Sequence, residues 1–207
     1  MFGIFGLCRA TNLAACSHNP VTILLVRHCA VALEWRGRCY GQSDTGLSRA
    51  GWRETKALAD VIAAKPVTAI IHSGLNRTRR LADEIGVLTD NTPQRDPRWQ
   101  ERDYGKWEGR RWTAIYRETG NEMDQMLTDP EGYRPGGGET TTDLLQRANA
   151  AWADLPRGGM TVVISHGGPI AMVRTMLAGA RVNESANFIP PIGSITEVSL
   201  HSSGLKA

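Results

Sequence analysis

Two histidines stand where short apolar runs stop. Ile23-Leu24-Leu25-Val26 leads into Arg27-His28-Cys29, and Val162-Val163-Ile164-Ser165 leads into His166-Gly167-Gly168-Pro169. An imidazole without a metal can attack phosphorus or carry a proton, and an arginine beside it offers a forked donor that matches phosphate oxygens. Gly167 and Gly168 permit close backbone approach, while Pro169 at a helix start leaves neighbouring amides to meet an anion. One strand-end histidine is more often a satisfied polar group at the rim of a core. Two of them, one behind an arginine and one opening a Gly-Gly-Pro turn, point to a phosphate site instead. Cys29 invites a thiol nucleophile, but no Cys-x5-Arg phosphate loop accompanies it, so it is read as a small packed residue.

The elements that must position these groups are legible in outline. Short β-branched and aliphatic runs read as buried parallel strands, and in open α/β sheets ligands bind just past the strand ends, so both histidines should face one crevice. After the first strand, Ser48 can cap a helix that runs to Lys65-Pro66. Val67 to His72 reads as a second strand, and Asn76 opens a helix that Gly86 should end. From Asn91 to Gly109 the pattern breaks into charged and aromatic residues. A helix from about Trp112 to Leu127 follows, then Asp129-Pro130 and the Gly-rich turn Pro135 to Gly138. The region 91–138 is therefore expected to be a small helical lid beside the site. Thr140 or Thr141 should cap a helix to about Leu155, Met160 to Ser165 a central strand, Pro169 to Leu177 a helix, and Ser194 to Leu200 an edge strand. This alternation predicts α/β architecture, a three-layer αβα sandwich around a mostly parallel sheet.

The 207 residues, 41% hydrophobic and 22% charged, suit one domain over 21–207 behind an N-terminal extension over 1–20. A net charge of +3 with dispersed Lys and Arg argues against nucleic acid and leaves a small anionic metabolite as the expected partner. Cys8, Cys16, Cys29 and Cys39 include no Cys-x-x-Cys pair, which argues against a zinc site or disulfide framework. No stretch is apolar enough to span a bilayer. Leu13-Ala14-Ala15-Cys16 superficially resembles a lipoprotein cleavage site, but Arg9 and Asn12 interrupt the apolar stretch it needs. A cytoplasmic protein is expected, with no metal and no cofactor; monomer and dimer both stay open.

The segments VRHCA, GRCYGQSDTGLSRAG, HSGLNRTRRLADE, QERDYGKWEG, PGGGET and SHGGP, in this order, resemble the histidine phosphatase superfamily, the phosphoglycerate-mutase-like enzymes. The resemblance spans about Val21 to Leu200. Around Cys39-Tyr40-Gly41-Gln42-Ser43-Asp44 it is similar to the alpha-ribazole phosphatase group. It implies that His28 is a nucleophile that becomes a phosphohistidine, and that Arg27, Arg77 and His166 surround the phosphoryl oxygens. Gly41, Gln42 and Gly167 would complete substrate binding. Glu101 matches the family's general acid upstream of Gly105-Lys106-Trp107-Glu108-Gly109; the residues alone do not rank it above Asp103 or Glu108. Cys29, Ala30, Val31 and Glu34 depart from the residues commonly found in the motif, Gly, Glu, Thr and Asn, which makes a mutase substrate unsafe to transfer. The implied activity is a phosphomonoesterase, with alpha-ribazole 5'-phosphate leading. A broad-specificity phosphatase, a phosphoglycerate mutase and a non-catalytic phospho-ligand binder are the alternatives. His72 is read as packing beside the site, and His18 and His201 as uninvolved.

Overall fold

A computed structural model describes residues 21–200; the readings made on 1–20, on His18 and on His201 lie outside the described residues. The order is β1 (Val21–Arg27), α1 (Arg49–Ala63), β2 (Val67–His72), α2 (Asn76–Thr89), β3 (Gln94–Arg95), α3 (Trp112–Thr119), α4 (Gln125–Thr128), α5 (Thr141–Ala153), β4 (Met160–Ser165), α6 (Gly167–Leu177) and β5 (Ile195–Leu200). Short 3-10 turns fill the connections, among them Pro97–Trp99, Gly105–Trp107 and Gly120–Asp124.

The five strands form one sheet in the order β3-β2-β4-β1-β5. β1, β2, β3 and β4 are parallel, and β5 runs antiparallel along β1. Successive side chains of a strand point to opposite faces. Ile23 and Leu25 of β1 accordingly pack with Trp99, Leu144, Ala148, Ile170 and Val173 beneath α5 and α6. Leu24 and Val26 pack with Ala59, Ile62, Leu81 and Ile85 beneath α1 and α2. Helices on both faces explain why these strands read as unbroken apolar runs rather than alternating ones, and they make the three-layer αβα sandwich.

Most boundaries agree with the sequence reading. Ser48 caps α1 by accepting from Gly51 N, and Thr140 caps α5 in a capping box with Asp143. Three differ. Gly86 does not end α2, which continues to Thr89 and closes on Asp90 in the left-handed region (φ 53°). Gly86 is buried where a Cβ would run into Asn91 and Pro93, so close packing and not termination requires glycine there. The helix expected over 112–127 breaks at Gly120, whose φ of 56° and ψ of −127° suit glycine alone, and resumes as a 3-10 turn and α4. α6 begins at Gly167, with Pro169 in its first turn, where its missing N–H has no intrahelical partner to lose. The expected lid is also divided, since β3 inside 91–138 joins the sheet edge.

Candidate active site

The register that pairs Arg27 of β1 with Ser165 of β4 brings the next residues, His28 and His166, side by side at the carboxyl end of the sheet. Their rings lie 5.2 Å apart, tilted by 58°, and both are fully buried. His28 Nδ1 meets the Cys29 carbonyl at 2.7 Å. A carbonyl only accepts, so Nδ1 carries the proton and Nε2 keeps its lone pair. That Nε2 is buried and has no protein partner. Burial first, then the charge of Arg77 and, less strongly, that of Arg27, hold the His28 pKa down at about 3, against the pull of the Cys29 hydrogen bond. His28 is therefore a neutral base at ordinary pH, its unpartnered Nε2 buried behind the cavity wall formed by Arg27, Gly41 and Gly167.

His166 has no such freedom. Arg77 Nε donates to its Nδ1 (3.2 Å), so its proton sits on Nε2, which donates to Ser73 Oγ (2.8 Å). Ser73 Oγ lies 2.8 Å from Thr78 Oγ1, and Thr78 donates in turn to the Leu75 carbonyl (2.8 Å). The sequence made His166 a donor to phosphate; as arranged here, Nδ1 accepts. Burial, Arg77 and His28 all hold its pKa well below the ordinary value, so the ring is neutral at ordinary pH.

The two arginines also divide. Arg77, fully buried, spends its fork on Gly41 O (2.6 Å), Ser43 O (2.7 Å) and Thr45 Oγ1 (3.4 Å) and lies against the Tyr40 ring. Arg27 is tied once, by NH1 to Pro190 O (2.7 Å), and its buried Nε has no partner. Its guanidinium lies next to Gly167, where the first amides of α6 have no intrahelical acceptor.

Of the three carboxylates, only Glu101 lines the cavity. Its Oε1 accepts from Arg102 N (2.9 Å) and Gly168 N (3.0 Å). Asp103 is consumed by Gly105 N (2.7 Å), and Glu108 by backbone and side-chain donors of residues 42, 43 and 104. Gly41 and Gly167 line the cavity as well, whereas the Gln42 side chain donates to Glu101 O (3.2 Å) and reaches the site only through that segment. His72 Nδ1 accepts from Gly74 N and closes a turn outside the cavity.

Sequence reading missed three supports. Arg147 of α5 donates to the carbonyls of Arg98, Gln100 and Glu101 (2.7, 2.7 and 3.0 Å) and so holds the strand-like backbone that carries Glu101. Ser165 Oγ donates to Trp99 O in the same segment. Ser73 fixes His166. The one available signal for Arg147 was its place beside the buried stripe Leu144, Ala148 and Ala151; Ser73 and Ser165 gave none beyond their adjacency to the strand ends.

The cavity, about 430 Å³, has a polar floor of Arg27, Gly41, Glu101 and Gly167. Its roof and far wall are largely apolar, built from Trp112, Met123, Met126 and Leu127 of the segment between β3 and β4 and from Met172 and Ile189. Among the described residues no group of three or more His, Cys, Asp or Glu side chains could hold a metal ion, and no helix is long and apolar enough to cross a membrane.

Residues 23–207 match the model of the histidine phosphatase superfamily, branch 1. The chain belongs to that family. Within it, a probable phosphoglycerate mutase GpmB of Yersinia pestis is 32% identical over 160 residues, 76% of this chain and 74% of that protein. Among solved structures of histidine phosphatase type, a mycobacterial glucosyl-3-phosphoglycerate phosphatase is similar at a TM-score of 0.78 and 26% identity, covering 87% of this chain and 91% of the other. An alpha-ribazole phosphatase from Shigella flexneri shares the fold, with a TM-score of 0.77, 18% identity and coverage of 87% and 91%.

Proposed function

We propose that this histidine phosphatase is a phosphomonoester hydrolase that works through a phosphohistidine at His28. The observation that carries the reading is the bare, buried Nε2 of His28, its proton fixed on the opposite nitrogen and its surroundings supplied with arginine donors. Nε2 attacks phosphorus in line, and the bond from phosphorus to the ester oxygen breaks. Glu101 gives the leaving oxygen its proton, then takes one from the water that cleaves the phosphohistidine to release inorganic phosphate. Arg27, Arg77 and the first amide of α6 supply fixed positive potential for the oxygens, the work that a divalent ion does elsewhere. No metal is needed for this route.

For the alcohol part, the leading reading is alpha-ribazole 5'-phosphate, with a broad-specificity phosphatase as the alternative. The segment Cys39 to Asp44 supports the first, as does an apolar roof of Trp112, Met123, Met126 and Leu127 large enough to cover a ring-bearing leaving group. A second reading, phosphoglycerate mutase, is favoured by the 32% identical relative that carries that description. A panel of phosphomonoesters assayed with chelator present separates them. Release of inorganic phosphate from ring-bearing esters supports hydrolysis. Isomerisation of phosphoglycerate outpacing phosphate release would assign the mutase, and binding without turnover would assign a phospho-ligand binder.

A further inference from the structure

Glu108 is not part of the cavity wall, yet its carboxylate gathers four donors. Oε1 accepts from Gln42 N (2.8 Å) and Tyr104 N (3.3 Å), and Oε2 from Ser43 N (2.7 Å) and Ser43 Oγ (2.6 Å). The Gln42 N–H belongs to the same peptide plane as the Gly41 carbonyl. In a trans peptide these two groups point in opposite directions, and no described peptide bond is cis. Pulling the Gln42 N–H toward Glu108 therefore aims the Gly41 carbonyl away from it, and there it accepts from Arg77 NH2 at 2.6 Å. Two residues on, the Ser43 carbonyl accepts from Arg77 NH1 (2.7 Å). Gly41 has a φ of 37°, and a Cβ there would collide with the Glu108 carboxylate and the Arg102 carbonyl, so only glycine lets the loop lie this close.

We propose that Glu108 is a positioning residue for Arg77, acting through the 41–42 peptide to set the direction of the guanidinium that faces His166 and the His28 pocket. The chain of contact is carboxylate, amide, carbonyl, guanidinium. An uncharged amide in place of the carboxylate presents donors to donors: the Glu108→Gln side-chain NH2 faces either Ser43 N–H and Oγ–H or Gln42 N–H. The loop then turns, and Arg77 loses one or both carbonyls. This rests on the phosphoryl-binding role proposed for Arg77 above.

The test is a double-mutant cycle on the full chain, Glu108→Gln against Arg77→Lys, read in two ways: kcat/KM on an activated aryl phosphate and on an alkyl phosphate, and the Kd of inorganic phosphate by calorimetry. A lysine presents its donors from one nitrogen and lacks the fixed fork whose two nitrogens serve the Gly41 and Ser43 carbonyls. Expected is a loss of ~10–100-fold in kcat/KM for Glu108→Gln, the scale of one or two charge-assisted hydrogen bonds. The loss should be equal on both esters, with phosphate affinity falling in parallel and further loss of less than ~3-fold in the Arg77→Lys background. Losses that multiply in full, or a leaving-group-dependent loss, overturn the proposal. Ser43→Ala, which removes one donor to Glu108 and leaves its charge, gives a milder version of the same cycle should Glu108→Gln fold poorly. The two readings fail separately: coupled phosphate affinities without turnover defeat the hydrolase and keep the positioning role, while turnover with additive losses does the reverse.

Discussion

The ends of β1 and β4 are built alike, each an apolar strand running into a buried histidine, and they are used differently. At the end of β1 one ring nitrogen is tied and the other left bare, next to an arginine held by a single carbonyl. At the end of β4 the histidine, the serine before it and the second amide of α6 are all tied. His166 is bonded at both nitrogens, Ser165 holds Trp99 O, and Gly168 N holds Glu101. The first end presents an orbital; the second orients its neighbours. A histidine's role here follows from which hydrogen bonds its nitrogens already make, and the residue type does not decide it.

The contrast is broken most directly at His28. His28→Ala should reduce turnover by at least ~10⁴-fold, as loss of a covalent nucleophile does, and wild type should accumulate an acid-labile, base-stable phosphoenzyme under rapid quench. Label on His166 would reverse the roles of the two strand ends, and label on Ser or Cys would remove the histidine nucleophile altogether. His166→Ala should be less severe, ~10–100-fold in kcat, the scale of losing the hydrogen bond that orients Arg77, with the phosphohistidine still forming. If it forms no phosphoenzyme, the two histidines are not distinct in kind.

Removal of Glu101 sharpens the picture of β4 as the end that orients the acid. Glu101→Gln should cost ~10²-fold on an alkyl phosphate and only a few-fold on an activated aryl phosphate, whose leaving oxygen scarcely needs a proton. Equal losses would remove the acid role, and an inactive Asp103→Asn beside an active Glu101→Gln would move it.

Smaller still is the effect on stability. His28, with a folded-state pKa of about 3 against 6.5 for a free imidazole, is neutral when folded and protonated when unfolded over the interval between. The unfolded chain binds the extra proton, so stability falls as pH drops from about 6.5 toward 3, by up to ~1.4 kcal/mol per pH unit for each such group. His166, shifted in the same direction, adds to the slope. Denaturant titrations between pH 7 and 4 should show His28→Asn flattening the loss; an unchanged slope would mean the ring is solvated. Chelation with EDTA should change kcat/KM least of all, and loss of activity restored by magnesium would overturn the metal-free route.

The strands and capped helices were legible because burial on both sheet faces leaves long apolar runs and because Ser48 and Thr140 announce their helices. Gly86 and Gly120 were not, because a glycine in sequence does not say whether it serves a turn, a close contact or a break. His28 and His166 could be picked out by their place after apolar strands and Arg27 by standing beside His28, whereas Arg77 came through the family resemblance. Their division of labour could not, since it depends on which carbonyl or hydroxyl stands 3 Å away across the fold. Glu108 is the clearest case: in sequence it rivals Glu101 as an acid, and only the fold shows that Glu101 lines the cavity while Glu108 is taken up by the amides of the 42–43 loop and Tyr104.

β4 lies between β1 and β2, although Met160 follows the end of β1 by 133 residues and the end of β2 by 88. During synthesis at ~5–20 residues per second, a nascent chain carries both neighbours for several seconds before the strand that separates them emerges. Over that interval the inner edges of β1 and β2 are open to pairing with each other, to other chains or to a chaperone. The pocket around His28 acquires its second wall only when His166 leaves the ribosome. Late closure of this kind predicts slow, aggregation-sensitive refolding dominated by long-range strand insertion, and a chain that gains its chemistry almost at the last step of becoming a protein.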